Sequence, residues 1–538
     1  MKRFLAILLG TSLLLCGCGA QQTIQATEPT EPPVQLSESG EYILPVENAV
    51  ANNTDCRVFY QVFVGSFSDS NGDGIGDLRG VIDRFDYLND GDDKSGLSLG
   101  VEGIWLSPIF TSPSYHKYDV ANYYEIDPAF GTMEDLKELI ELCHSRNVQI
   151  ILDLPINHTS RNHVWFSGFS TAHRDGVTDH EYYDYYTYAE TPPAGRRFNT
   201  ITGSTEFYEC NFSGDMPELD FDNEEVRQLV VDIAKYYLDM GVDGFRFDAA
   251  KYIYYGEEQR NADFWIWYMG KLREIKPDIY TVAEVWDSDS LTFPYFASTN
   301  CFNFSMSQTS GQIAMAAKGG KVQTFVNYVD GYLKSIHSQR EAASMCTFIA
   351  NHDMDRAAGF LPVASGEGYV AANLAMLLPG STYIYYGEEI GMKGSRGGAS
   401  TDANRRLAML WGDDDTVKDP VGSTYGSTQV NGTVADQKGV PTSLLNHYKK
   451  LIAIRKAYPQ IAQGEFAPLK VDHSHVGGFT CTLEGTSVAV LHNTTKEAVQ
   501  LDISALELTE LLEYVGMGSA TLEGTTLTIE AQTSVVMG

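Results

Sequence analysis

From about residue 55 the chain alternates short apolar runs with longer amphipathic ones. RVFYQVFVG (57–65), VEGIWLSPIF (101–110) and VQIILDLPI (148–156) are almost continuously apolar, as strands of a parallel sheet covered on both faces are. Residues 78–88 and TMEDLKELIELCHSRN (132–147) carry helical spacing instead. A further strand at STYIYYGEEIGM (381–392) precedes a Gly/Ser/Thr/Asp-rich stretch to about 442, and LLNHYKKLIAIRKAY (444–458) reads as a closing helix. This strand–helix alternation predicts an α/β fold with a parallel sheet. After Pro459 the pattern changes to short alternating runs split by turn residues (FTCTLEG, SVAVLHN, ATLEGTTLTIEAQTSVVM), which predicts a small antiparallel β domain.

Three of the apolar runs stop at an acid: Asp248 in GVDGFRFDAA, Glu284 in IYTVAEVW and Asp353 in CTFIANHDMD. They lie 36 and 69 residues apart, one and two βα units of roughly 30 residues each. Acids at the C-terminal ends of successive strands are how a (β/α)8 TIM barrel assembles an active site on its top face. Two neighbouring carboxylates, one anionic and one protonated, are the equipment for cleaving a glycosidic bond. Asp153 and Asp248 end consecutive strands yet are 95 residues apart, far more than one unit needs, and the excess is irregular and aromatic (RNHVWFSGFS, DHEYYDYYTY). The expected layout is a barrel over 49–156 and 219–458, an inserted small domain after strand 3 at 157–218, and a C-terminal β-sandwich domain at 459–538.

Ahead of the barrel, Lys2 and Arg3 precede an apolar stretch too short to span a bilayer, ending in Leu15-Cys16-Gly17-Cys18. This resembles a bacterial lipoprotein signal (1–18) with Cys18 as the lipidated residue, which implies a cell-surface, extracellular protein held to the membrane only by its N-terminal lipid. Residues 19–48, rich in Gln, Thr, Glu and Pro, read as a flexible tether. A formal charge of −33 argues against nucleic acid or an anionic membrane surface as a partner and is compatible with a neutral polymer. Of the remaining cysteines, Cys56, Cys143, Cys210, Cys301, Cys346 and Cys481, none forms a CxxC pair, so no zinc or redox motif is indicated.

The motifs resemble those of the α-amylase family of glycoside hydrolases, from about residue 55 to the C-terminus. DLPINH (153–158), GFRFDAAKY (244–252), AEVW (283–286) and NHD (351–353) match four ordered signatures, and MPELD (216–220) a fifth. The resemblance implies that Asp248 is the nucleophile, that Arg246, two residues earlier on the same strand face, keeps it ionised and oriented, and that Glu284 is the acid and then the base. It further implies that Asp353 and His352 hold sugar hydroxyls, that His158 shares that subsite, that Asp153 supports Arg246, that Tyr118 stacks under the ring being cleaved and that Asp119 holds its loop. Lys251 and Tyr252 are expected to border the leaving-group side. That signature usually ends in Lys-His, and the fifth commonly ends in Asn where Asp220 stands, which leaves acceptor preference and subfamily open.

Asp69-Ser-Asn71-Gly-Asp73-Gly-Ile75-Gly-Asp77 spaces oxygen ligands at positions 1, 3, 5 and 9, with a backbone carbonyl at Ile75, as a calcium loop does. Position 12 is Gly80, so it is no EF-hand, and it resembles the structural Ca²⁺ loop of the oligo-1,6-glucosidase branch. The leading expectation is a monomeric α-1,4-glucan hydrolase, an α-amylase acting on starch or maltodextrins. Neopullulanase or cyclomaltodextrinase, and 4-α-glucanotransferase, are the alternatives. A non-catalytic glucan-binding lipoprotein is the expectation from a different class, and it would lack one of the three acids.

Overall fold

The computed structural model describes residues 34–52, 54–397, 401–425, 431–506 and 508–538. Eight strands form its centre: β1 (Val58–Val62), β2 (Gly103–Leu106), β3 (Gln149–Leu154), β4 (Gly244–Phe247), β5 (Tyr280–Ala283), β6 (Asn300–Cys301), β7 (Cys346–Phe348) and β8 (Ser381–Tyr385). Their order in the sheet is β6-β5-β4-β3-β2-β1-β8-β7, and every pairing is parallel. Phe302, just past β6, pairs in parallel with Cys346 at the start of β7, which closes the ring. This is the expected (β/α)8 barrel.

Aromatic side chains fill the interior: Phe59, Tyr280 and Tyr383 stack with ring centroids 4.7 and 5.1 Å from Phe59, and Trp105 and Phe302 pack beside them. Gly103 is forced by that filling, because a Cβ there would meet the Phe59 ring at 2.4 Å. Outside lie α1 (Leu78–Asp83), α2 (Met133–Ser145), α3 (Glu224–Met240), α4 (Glu258–Ile275), α5 (Asp289–Thr292), α6 (Val322–Gln339), α7 (Glu367–Met376) and α8 (Leu444–Ala457). Their ends are set locally. Thr132 and Asp135 make a reciprocal capping box on α2, Asn223 and Ser443 cap α3 and α8, and Gly241 ends α3 at φ 112°. The single helix expected at 78–88 is instead broken at Arg84, whose guanidinium is drawn to Asp413 (2.6 Å) and Asp415 (3.0 Å).

Between β3 and α3 the chain makes a helix, Val164–Asp175, and an antiparallel sheet of Tyr188–Ala189, Phe207–Glu209 and Phe198–Thr200. Beyond α8 a five-stranded and a three-stranded antiparallel sheet enclose their own core, including Val476, Leu491, Leu527, Ile529 and Val535.

Residues 35–44 depart from the tether expectation. Leu36 bridges Tyr42, the Tyr42 N–H donates to the Lys438 carbonyl (2.8 Å), and the Leu44 N–H donates to that of Gly96 (3.1 Å), while Leu44 is buried. Polar composition suggested a free linker, but satisfied backbone groups and one apolar anchor are enough to dock it. The signal segment with Cys18 and the part of the tether before residue 34 lie outside the described residues.

Candidate active site

Asp153 and Arg246 are direct cross-strand partners on β3 and β4, so their side chains rise together at the barrel top. Arg246 is fully buried, and its Nη1 donates to both Asp153 oxygens (2.8 and 3.1 Å) and to Asp248 Oδ1 (2.7 Å). Its Nη2 pairs with Glu284 Oε2. Stripping a guanidinium of water costs several kcal/mol, and here three carboxylates offset it. Asp153 also accepts from Trp105 Nε1 (3.2 Å) and the Tyr118 hydroxyl (2.8 Å). Burial pushes the Asp153 carboxyl up, against the pull of Arg246.

Asp248 sits where β4 turns sharply. The next residue, Ala249, has φ 51° in the left-handed region, at a cost of about 1–2 kcal/mol for a side chain other than glycine. The turn is tied to β5 through Ala250 N–H to the Glu284 carbonyl (3.0 Å) and Glu284 N–H to that of Phe247 (2.9 Å). Backbone strain at this point presents the carboxylate to the cleft.

Asp353 follows β7. Burial opposes its charge, but His352 Nε2 (3.0 Å) and Arg406 Nη2 (2.7 Å) hold its carboxyl well below the usual carboxylate range. His352 is itself fully buried, and burial lowers its basicity. Its Nδ1 accepts from the Gln61 amide (2.7 Å), which leaves Nε2 to donate toward Asp353 and the Tyr118 hydroxyl (2.7 Å). Tyr118 stacks on the His352 ring at 5.4 Å and 6°.

These elements enclose a cleft of about 1010 Å³. Asp248, Glu284, Asp353, Tyr118, His158, Lys251 and Tyr252 all line it. Arg246 and His352 lie beneath the lining, so His352 acts on the cleft through Tyr118 and Asp353. His158 Nε2 is buried without a partner, which suits a donor or acceptor waiting for a hydroxyl. Lys251 Nζ donates to the Trp286 carbonyl (2.7 Å) and to Asp287 (2.9 Å). Asp119 accepts from the Ser112 hydroxyl (2.8 Å) and from Ser114, fixing its loop.

The sequence reading missed several lining residues: Tyr115, His116, Phe212, Trp286, Arg405 and Arg406. Two arginines in tandem at 405–406, in a chain with only 38 basic residues, were the available signal.

Residues 61–464 match the family described as Alpha amylase, catalytic domain. The chain belongs to the alpha-amylase family of glycoside hydrolases. Among relatives of this alpha-amylase-family chain, Alpha-amylase 3 of Dictyoglomus thermophilum is 36% identical over 443 residues, covering 81% of this chain and 84% of that protein. The solved structure of Eubacterium rectale Amy13B superposes with a TM-score of 0.85 at 32% identity, covering 91% of this chain and 96% of that one. The alpha-amylase from H. orenii gives a TM-score of 0.80 at 35% identity, covering 90% and 99%.

The family member's expected calcium residues share one loop. Asp69 accepts from the amides of Asn71 (3.2 Å), Gly72 (2.8 Å) and Gly74 (2.7 Å) and from the Thr416 hydroxyl (2.6 Å). Asp77 accepts from Ser70 (2.9 Å) and Gly80 (2.6 Å), and Asp73 from the Ile75 amide (2.7 Å). Among the described residues no group of three or more acidic, His or Cys side chains converges as a metal shell. The donor set is nonetheless all oxygen, three carboxylates with the Asn71 amide and the Ile75 carbonyl, which is the chemistry a hard cation takes.

Proposed function

We propose that this enzyme is a retaining hydrolase of α-1,4-glucosidic bonds in starch and maltodextrins, an α-amylase acting outside the cell. What supports this reading most is that Asp248, Glu284 and Asp353 line one cleft, with Arg246 contacting the first two. Asp248 attacks the anomeric carbon as the bond to the leaving oxygen breaks, and Glu284 gives that oxygen its proton. For this, Glu284 enters the step protonated, with its carboxyl turned to the leaving oxygen rather than to Arg246. Water then attacks the glycosyl-enzyme, Glu284 takes the proton, and Asp248 departs with the bond's electron pair. Asp353, an anion braced by Arg406, holds ring hydroxyls and favours the distorted sugar, while Tyr118 packs below it.

The enzyme works as a monomer tethered through a lipid on Cys18, and Cys18→Ser is expected to move it from the membrane to the soluble fraction. Asp69, Asn71, Asp73, Ile75 and Asp77 would hold a structural Ca²⁺, which supplies charge neutralisation to the loop and takes no part in the reaction. Incubation with amylose and with pullulan, products separated by chain length, tests the reading. Linear maltooligosaccharides from amylose support it. Panose from pullulan, or large glucan rings, would reassign the enzyme to the neopullulanase or glucanotransferase type, and binding without cleavage to a glucan-binding protein.

A further inference from the structure

Arg356 is only 2% exposed, yet its hydrogen bonds go to backbone carbonyls rather than to carboxylates. Nε donates to the carbonyl of Arg405 (3.0 Å) and Nη1 to that of Tyr386 (2.6 Å), while Nη2 is buried without a partner. The guanidinium lies over the rings of Tyr385 (4.4 Å) and Tyr386 (4.5 Å). Its own N–H donates to the Gly394 carbonyl (2.9 Å). One side chain thereby joins three segments: the loop after β7 that carries Asp353, the end of β8, and the crossing made by Gly394 and Arg405.

That crossing segment delivers the cationic face of the cleft. Arg406 Nε donates to the His352 carbonyl (3.0 Å) and its Nη2 to Asp353, while Arg405 Nη1 donates to the Asp353 carbonyl (2.7 Å). The carbonyl that Arg356 grips is the one immediately before Arg406. The crossing is tight, because a Cβ on Gly394 would meet the Asn404 carbonyl oxygen at 2.4 Å and Arg356 Cδ at 3.2 Å. Among the described residues no carboxylate lies within ion-pair distance of Arg356, and the buried Glu388 and Glu389 act on it only from further off. Holding its charge here therefore costs stability that an apolar residue of the same size would not. Only a planar fork reaches two carbonyls in fixed directions, and a lysine cannot.

We propose that Arg356 is a positioning residue for the reaction: it fixes the backbone at Arg405 so that Arg406 keeps Asp353 in its working orientation. The inference rests on the proposed role of Asp353. The test is a double-mutant cycle on amylose hydrolysis, with Arg356→Lys and Gly394→Ala each made in the wild-type and Arg406→Met backgrounds. Loss of the charge-assisted contact in Arg406→Met is expected to lower kcat/KM by about 10- to 100-fold. In the wild-type background Arg356→Lys and Gly394→Ala each lower it by about 10-fold, chiefly through kcat, and in the Arg406→Met background by less than about two-fold. Equal fold-losses in both backgrounds, or no loss in the wild type, would overturn the proposal. Should Arg356→Lys fail to fold, Gly394→Ala decides the question alone. A wild type that does not cleave amylose would instead sink the functional reading and take this inference with it.

Discussion

At the top of the barrel one buried guanidinium faces three carboxylates, Asp153, Asp248 and Glu284. At the seam between α7, α8 and the C-terminal sheets, the buried groups are two histidines, an asparagine and a serine. His447 Nε2 meets Asn373 Oδ1 (2.8 Å), Asn373 Nδ2 donates to Ser534 Oγ (3.0 Å) and to the Val515 carbonyl (3.0 Å), and Ser534 Oγ meets His492 Nδ1 (2.7 Å). Both networks are desolvated, but only one keeps formal charge. Neutral hydrogen bonds suffice to join two surfaces. A site that must stabilise developing charge keeps ions and bears their desolvation cost.

Substitutions should separate the two networks, beginning with the largest effect. Asp248→Asn is expected to lower kcat by on the order of 10⁴- to 10⁶-fold with binding of maltooligosaccharide retained, read by kinetics and calorimetry. Arg246→Met leaves three acids without their cation and should cost about 3–5 kcal/mol in urea unfolding, as well as activity. Asn373→Ala strands the His447 ring N–H and should cost about 1–3 kcal/mol while leaving kcat unchanged, because the seam touches no substrate.

Acid should strike the seam first. Burial pushes His447 and His492 down to about 3 from an ordinary 6.5. The unfolded chain therefore binds protons that the folded one refuses. Their stabilisation is full above about pH 6.5 and drains as pH falls toward 3, at up to about 1.4 kcal/mol per pH unit for each histidine. Asp353, held low by His352 and Arg406 against its burial, contributes in a lower window and is lost only well below its ordinary value of 3.8. Unfolding free energies from pH 7 to 4 should fall, and His447→Gln should flatten the slope. An unchanged slope would break this side of the comparison.

The same contrast governs what could be read from the chain. Asp248, Glu284 and Asp353 were legible because each ends an apolar run, and the 69-residue spacing implied a strand between Glu284 and Asp353. That strand, Asn300–Cys301, is two residues long and leaves no pattern of its own. Arg405 and Arg406 reach Asp353 from a Gly- and Asp-rich excursion without periodicity, so nothing local foretold their target. The docking of residues 35–44 depends largely on backbone groups, which composition does not report. Nothing beside His447 or His492 in the sequence points to a buried network, and the partners that join them are 74 and 42 residues away.

The central claim is that Asp248 forms a covalent bond to the sugar. Mass spectrometry of a Glu284→Gln variant incubated with α-maltosyl fluoride tests it directly, because fluoride leaves without an acid while the step that needs Glu284 as base stalls. A maltosyl adduct on the peptide carrying Asp248 is the expected result. An adduct on another residue, or fluoride release with no adduct and an inverted sugar product, would contradict it.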